Sequence, residues 1–298
     1  MLTCRNLLAS LMLVALSICL GMGCVSPHPE FRGERSIPGM RGDSLLSQDV
    51  NGVSGGKLDR ENLWRTTVNI QSNAGVCSGI LIAPKAVLTA AHCFCAVTQA
   101  AFDRSSCVKR ATVISHLYLY RPENRGWEPI PATSEGDVIV HEEFTSQRTS
   151  KGFVDPAKRV ADLAIVALDK ELDGLKPDVL LRPQDVSEGD ELTVIGYGPT
   201  RTNGSDGSVR RSGTNTIFTV TRFPNERVRE FRFNGSGAHT HDGDSGGPAL
   251  YLDDGKRWLV GINGGYSEQG KQSWFTATST YDGWIKSQIA KAMRPRAP

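Results

Sequence analysis

Between residues 63 and 278 short apolar runs recur, some alternating with polar residues and some continuous, each closed by Gly, Pro, Asn or Asp. Alternation with period two in runs rich in Val, Ile and Thr marks half-buried strands, and short continuous runs mark strands covered on both faces. The series starts with LWRTTVNIQ (63–71) and continues through CSGILIA (77–83), AVLTAA (86–91), TVISHLYLY (112–120), DVIVHEEF (137–144) and LAIVAL (163–168). After a polar interval come ELTVIGYG (191–198), TIFTV (216–220), EFRF (230–233), PALYL (248–252), WLVGINGG (258–265) and SWFTAT (273–278). Helical spacing emerges only at the end, in YDGWIKSQIAKAM (281–293), with Trp284, Ile285, Ile289 and Met293 roughly on one face. The pattern predicts an all-β fold finished by one short helix.

The first residues follow different rules. Arg5 precedes an apolar stretch, Leu7 to Gly23, that ends in small residues and is too short and one-sided for a comfortable membrane span, so residues 1–23 read as a signal peptide. Gly23 and Cys24 resemble the lipobox of bacterial lipoproteins, although Gly21 and Met22 stand where that family carries an aliphatic and then a small residue. Membrane attachment through a lipidated Cys24 therefore stands beside plain signal cleavage. Residues 24–48, rich in Pro, Gly, Ser and charge, have no apolar period to bury and read as a tether or propeptide. The folded domain is expected over residues 49–293, with 294–298 as a tail.

Composition narrows the class. A chain of 298 residues, 39% of them hydrophobic, can bury the core of one large or two small domains. A net charge of +2 gives no basic surface for nucleic acid. Of the seven cysteines, Cys4 and Cys19 leave with the signal and Cys24 is the lipidation candidate, so Cys77, Cys93, Cys95 and Cys107 remain. An even number in an exported chain predicts two disulfides, and the spacing of Cys93 and Cys95 is not that of a zinc site. The protein is expected in the cell envelope or secreted.

The chemistry is concentrated in HTHDGDSGGPAL (239–250), where glycines and acids crowd Ser245. A serine hydroxyl needs a base to become a nucleophile, and the oxyanion it creates needs preplaced donors. Backbone N–H groups of Gly243 and Ser245 can be those donors where no side chain blocks the approach, and Gly246 and Gly247 let the chain turn away. GDSGGP (243–248) resembles the nucleophile motif of the chymotrypsin/trypsin-like serine proteases. VLTAAHC (87–93) resembles that family's histidine segment, with His92 as base and Cys77 and Cys93 where the family places a disulfide. VADLAIVAL (160–168) resembles its aspartate segment and makes Asp162 the third member, while Asp155 and Asp169 are the nearby rivals. The order His92, Asp162, Ser245 is the order of this family.

The resemblance implies two six-stranded antiparallel β-barrels with the active site between them, and hydrolysis of a protein or peptide substrate through an acyl-enzyme without metal or other cofactor. Oligomeric state stays open. It also implies a specificity pocket lined by His239, Thr240 and Ser273, where trypsin-like members carry a carboxylate at the position of His239. Cleavage after basic residues is therefore not expected, and a polar or acidic side chain suits the pocket better. His241 stands where many relatives have a cysteine, and GINGGY (261–266) fits in two registers, one of which puts Tyr266 across the pocket. Family members order the oxyanion loop by pairing a freed N-terminal Ile or Val with the aspartate before the nucleophile, here Asp244. DVNG (49–52) offers Asp49 or Val50 for that terminus. Two other functions remain beside peptidase: a catalytically weak, protease-like binding lipoprotein, and an esterase on the same machinery.

Overall fold

In a computed structural model the described residues are 53, 56–96, 102–123, 125–147, 158–198, 209–267 and 272–295. The expected signal peptide, the tether, Cys24 and Asp155 lie outside them.

Strands β1 (Lys57–Leu58), β2 (Thr67–Ser72), β3 (Gly75–Ala83), β4 (Ala86–Thr89), β5 (Arg110–Arg121), β6 (Gly126–Val140) and β7 (Ala164–Leu168) come first. All but β1 close into an antiparallel barrel of order β2-β3-β4-β7-β6-β5. The second half supplies β8 (Leu180–Leu181), β9 (Glu191–Gly196), β10 (Arg211–Arg222), β11 (Val228–Phe233), β12 (Pro248–Asp253), β13 (Lys256–Ser267) and β14 (Gln272–Ala277). Here β10, β11, β14, β13, β12 and β9 are neighbours in that order, and β9 pairs back to β10, which closes a second ring of six. β1 pairs with β10, and β8 runs parallel to β13. The all-β expectation with two six-stranded units is what the chain forms.

The strands bury side chains on both faces: Val68, Ile80, Leu88, Val113, Ile165 and Val166 belong to one hydrophobic cluster, and Val194, Phe231, Phe233 and Phe275 to another. The Phe231 and Phe275 rings stack with centroids 5.2 Å apart. Helix α1 (Asp282–Ala292) follows the second ring but returns to the first, because its buried Ile285 joins the first cluster. Its inner face differs from expectation: Gln288 is buried, whereas Met293 is 42% exposed.

Other departures have local causes. β6 begins well before DVIVHEEF, and His141 to Phe144 turn out of it. Pro129 and Pro131 pair with Tyr118 and His116 in the long β5–β6 hairpin. Proline removes a ladder donor and argues against a strand in sequence. β1 and β8, two residues each, are too short to carry a period.

Cys77, Cys93, Cys95 and Cys107 form the disulfides Cys77–Cys93 and Cys95–Cys107. The first joins β3 to the turn after β4 and closes a sequence separation of 16 residues. A loop of that length constrains the unfolded chain by about 3 kcal/mol. Cys77→Ser with Cys93→Ser should lower the unfolding free energy by about that amount, read from urea unfolding as a fall in the midpoint together with a steeper slope, since the freed chain exposes more surface.

Candidate active site

β4 ends at Thr89, and Ala91–Cys93 form a single 3-10 turn that presents His92. Small residues make the turn possible, since Ala90 and Ala91 are fully buried and leave no room for larger side chains. His92 Nδ1 lies 2.8 Å from Asp162 Oδ2, and the backbone N–H of His92 donates to Asp162 Oδ1 at 2.9 Å. Asp162 is thus held at both oxygens, 1% exposed, just before β7. Burial opposes its ionisation, but the adjacent His92, its two hydrogen bonds and the guanidinium of Arg159 outweigh burial and hold the carboxyl below its usual 3.8. Ala161 sits at φ 49° and donates its N–H to Tyr281 Oη at 3.1 Å, a left-handed conformation that costs energy in a residue with a Cβ. The rival Asp169 is engaged elsewhere, by Arg110.

Ser245 occupies a turn in which Gly243 and Gly246 have φ of 86° and 80°. A Cβ on Gly246 would come within 2.1 Å of Thr89 Oγ1 and 2.3 Å of the Ser78 carbonyl, so only glycine fits. Ser78 secures the turn twice: its N–H donates to the Ser245 carbonyl at 2.7 Å and its hydroxyl donates to the Gly243 carbonyl at 2.8 Å. Cys93 Sγ, beside His92, lies 3.8 Å from the same Ser245 carbonyl. Around the turn, the N–H groups of Asp244, Gly246 and Gly247 donate to His241, Asn263 and Asp244 carbonyls. Those of Gly243 and Ser245 have no acceptor among the described residues. The Ser245 hydroxyl makes no hydrogen bond to His92 here. His92 and Asp162 are therefore in contact, with the Ser245 backbone against the next residue; catalytic hydrogen bonds are often completed only when substrate binds.

Asp244 is 1% exposed and accepts three backbone N–H groups: Gly198 at 2.8 Å, His241 at 2.9 Å and Val53 at 3.3 Å. Burial raises its pKa above the usual 3.8, and the three N–H groups only partly offset it. Val53 meets Asp244, whereas Asp49 and Val50 lie outside the described residues. The missed signal is VSGG (53–56): Val53 is 0% exposed, and a Cβ on Gly56 would come within 2.7 Å of the Ser212 and Val53 carbonyls.

The expected pocket residues gather next to this turn. Thr240 donates its N–H to Ser273 Oγ at 2.8 Å, and its hydroxyl lies 3.1 Å from Ser273 Oγ and 3.3 Å from Asn263 Oδ1. The His239 and His241 rings lie 5.5 Å apart. In the β13–β14 register Tyr266 faces Ser273, and its ring packs 4.9 Å from His241.

Arg159 was not foreseen. It donates to the Gly264 carbonyl at 2.7 Å and pairs with Glu230 at 2.6 Å, both side chains under 5% exposed (3% and 4%), with its guanidinium 4.9 Å from the Trp274 ring. It ties the segment carrying Asp162 to β11 and β13 of the second ring.

Comparison with known proteins agrees with this architecture. A trypsin family model matches residues 53–285. Chymotrypsin-like elastase family member 1 of Macaca fascicularis is 26% identical over 256 residues, covering 80% of this chain and 90% of that protein. A trypsin-like protease of Streptomyces glaucescens is 26% identical over 253 residues, covering 80% and 82%. Among solved structures, a mutant of human heparin binding protein shares the fold with a TM-score of 0.57 at 21% identity, covering 82% of this chain and 99% of that one. With its matched span starting at the valine seated on Asp244, the chain belongs to the trypsin family.

Proposed function

We propose that the protein is a serine endopeptidase that hydrolyses peptide bonds through an acyl-enzyme. The observation that carries this reading is the Asp162–His92 pair set beside a turn whose Gly243 and Ser245 N–H groups lack acceptors. In the proposed cycle the Ser245 hydroxyl attacks the substrate carbonyl carbon and His92 Nε2 takes its proton. Asp162, ionised and bonded to Nδ1, fixes the tautomer and stabilises the imidazolium. The two free N–H groups receive the oxyanion. Collapse expels the amine, protonated by His92, and leaves an ester on Ser245. Water then repeats the attack with the same base, which releases the acid and restores the hydroxyl. The two disulfides suit an oxidising compartment, and we place the protein outside the cytosol, anchored at Cys24 or released.

A second reading is a protease-like binding module. It is favoured by the Ser245 hydroxyl making no hydrogen bond to His92 among the described residues. Reaction of the purified protein with a fluorophosphonate probe separates the two. The expected result is labelling of the wild type, lost in Ser245→Ala and in His92→Ala, with the most reactive species beginning at Val53 on N-terminal sequencing. If the folded, disulfide-intact protein stays unlabelled even after limited proteolysis, the binding module is the better account.

A further inference from the structure

Resting on the peptidase reading, we propose that the pocket beside Ser245 selects an acidic side chain, so that peptides are cut after Glu or Asp. The argument is an accounting of donors and acceptors. Asn263 borders the nucleophile turn directly: its carbonyl accepts from Gly246 N at 2.8 Å and its N–H donates to the Gly247 carbonyl at 2.8 Å. Its side chain is 1% exposed. Oδ1 accepts from Gly265 N at 3.1 Å, and because that partner can only donate, the orientation of the amide is fixed. Thr240 Oγ1 reaches the same oxygen at 3.3 Å. Among the described residues the Nδ2 end, with two N–H groups, is buried without a partner, and so is Nδ1 of His241.

Among the described residues no carboxylate bonds the Asn263 amide. Asp244 is consumed by the N–H groups of Val53, Gly198 and His241, and the exposed Asp242 meets the Tyr266 hydroxyl at 3.3 Å. The groups gathered here are the Asn263 amide, the His241 imidazole and the Thr240–Ser273 hydroxyl pair. A buried donor left unmade is unfavourable, and a carboxylate brings acceptors to every one of these groups, in charge-assisted bonds that a neutral side chain cannot match. A Lys or Arg side chain brings only further donors.

The test uses fluorogenic peptides that differ only at the residue before the cut, Glu, Gln or Lys, with the fluorophosphonate-titrated wild-type protein. Glu should exceed Lys by at least about 100-fold in kcat/KM and exceed Gln by about 10-fold, because a site built to bond a polar group discriminates strongly against its replacement. In Asn263→Leu the Glu/Gln ratio should fall toward one. That ratio is internal to each preparation and does not depend on how much of the variant folds. Labelled wild-type enzyme that prefers Lys, or that does not distinguish Glu from Gln, would overturn the acidic pocket and leave the peptidase reading standing. Failure of the wild type to label would remove both.

Discussion

Asp162→Asn should reduce kcat by about 10⁴-fold with little change in KM, the loss found for this exchange in the Ser-His-Asp template and carried over here. An asparagine can keep one oxygen for the His92 N–H, but its amide nitrogen then faces Nδ1 as a donor. The imidazole is driven to the tautomer with its proton on Nε2, which cannot accept from Ser245. Stopped assays across pH 5–9 with titrated enzyme check the magnitude. A loss below about tenfold would mean that Asp162 only positions the loop and does not hold the tautomer. The same carboxyl links activity to acid stability. Its folded pKa lies below 3.8, so the stability it contributes is present above that value and is lost as pH falls through the lower, folded one. The wild type should therefore keep the Asp162–His92 contact at pH 5, and Asp162→Asn should flatten the acid limb of its unfolding profile.

Arg210→Met should cost about 3–5 kcal/mol of stability, the usual penalty for stranding one member of a buried ion pair. Arg210 is 0% exposed, pairs with Asp59 through Nε at 2.7 Å and reaches the His116 carbonyl and Tyr197 Oη, each at 2.9 Å. Its own N–H meets Tyr118 Oη at 2.7 Å. The group joins β10, the end of β9, β5 and the strap before β2, so its loss strands Asp59 against the N–H groups of Leu63 and Trp64 alone. Adding Asp59→Asn should recover part of the loss, since it removes the unpaired charge while keeping an acceptor. Equilibrium urea unfolding measures both variants, and a single-variant cost within about 1 kcal/mol would show that water replaces the guanidinium.

Period-two runs made β2 to β5, β7 and β9 to β14 readable, because each buries one face or both in a ring. β6 was mostly hidden: its prolines and polar residues lie in a hairpin where few side chains meet a core. At the site, the His92–Asp162 contact and the tight turn at Ser245 were readable because glycines allow the close approach there and small residues precede the histidine. Val53 escaped because a serine interrupts its glycine signal, and no periodicity marks a strap. Arg159, Glu230 and Asn263 escaped for another reason. Arg159 and Glu230 meet across 71 positions, and Asn263 joins the nucleophile turn through backbone contacts 16 and 17 positions away, where one-dimensional pattern carries no information.

The contacts at Gly246 reach further than the turn they shape. Ser78 and Thr89, which leave no space there for a Cβ, belong to the first ring, while the serine they brace belongs to the second. Neither half of the chain owns the nucleophile geometry. On the peptidase reading, two fragments divided between the rings would each be inert, and activity would return only by complementation, as a property of their reassembled seam.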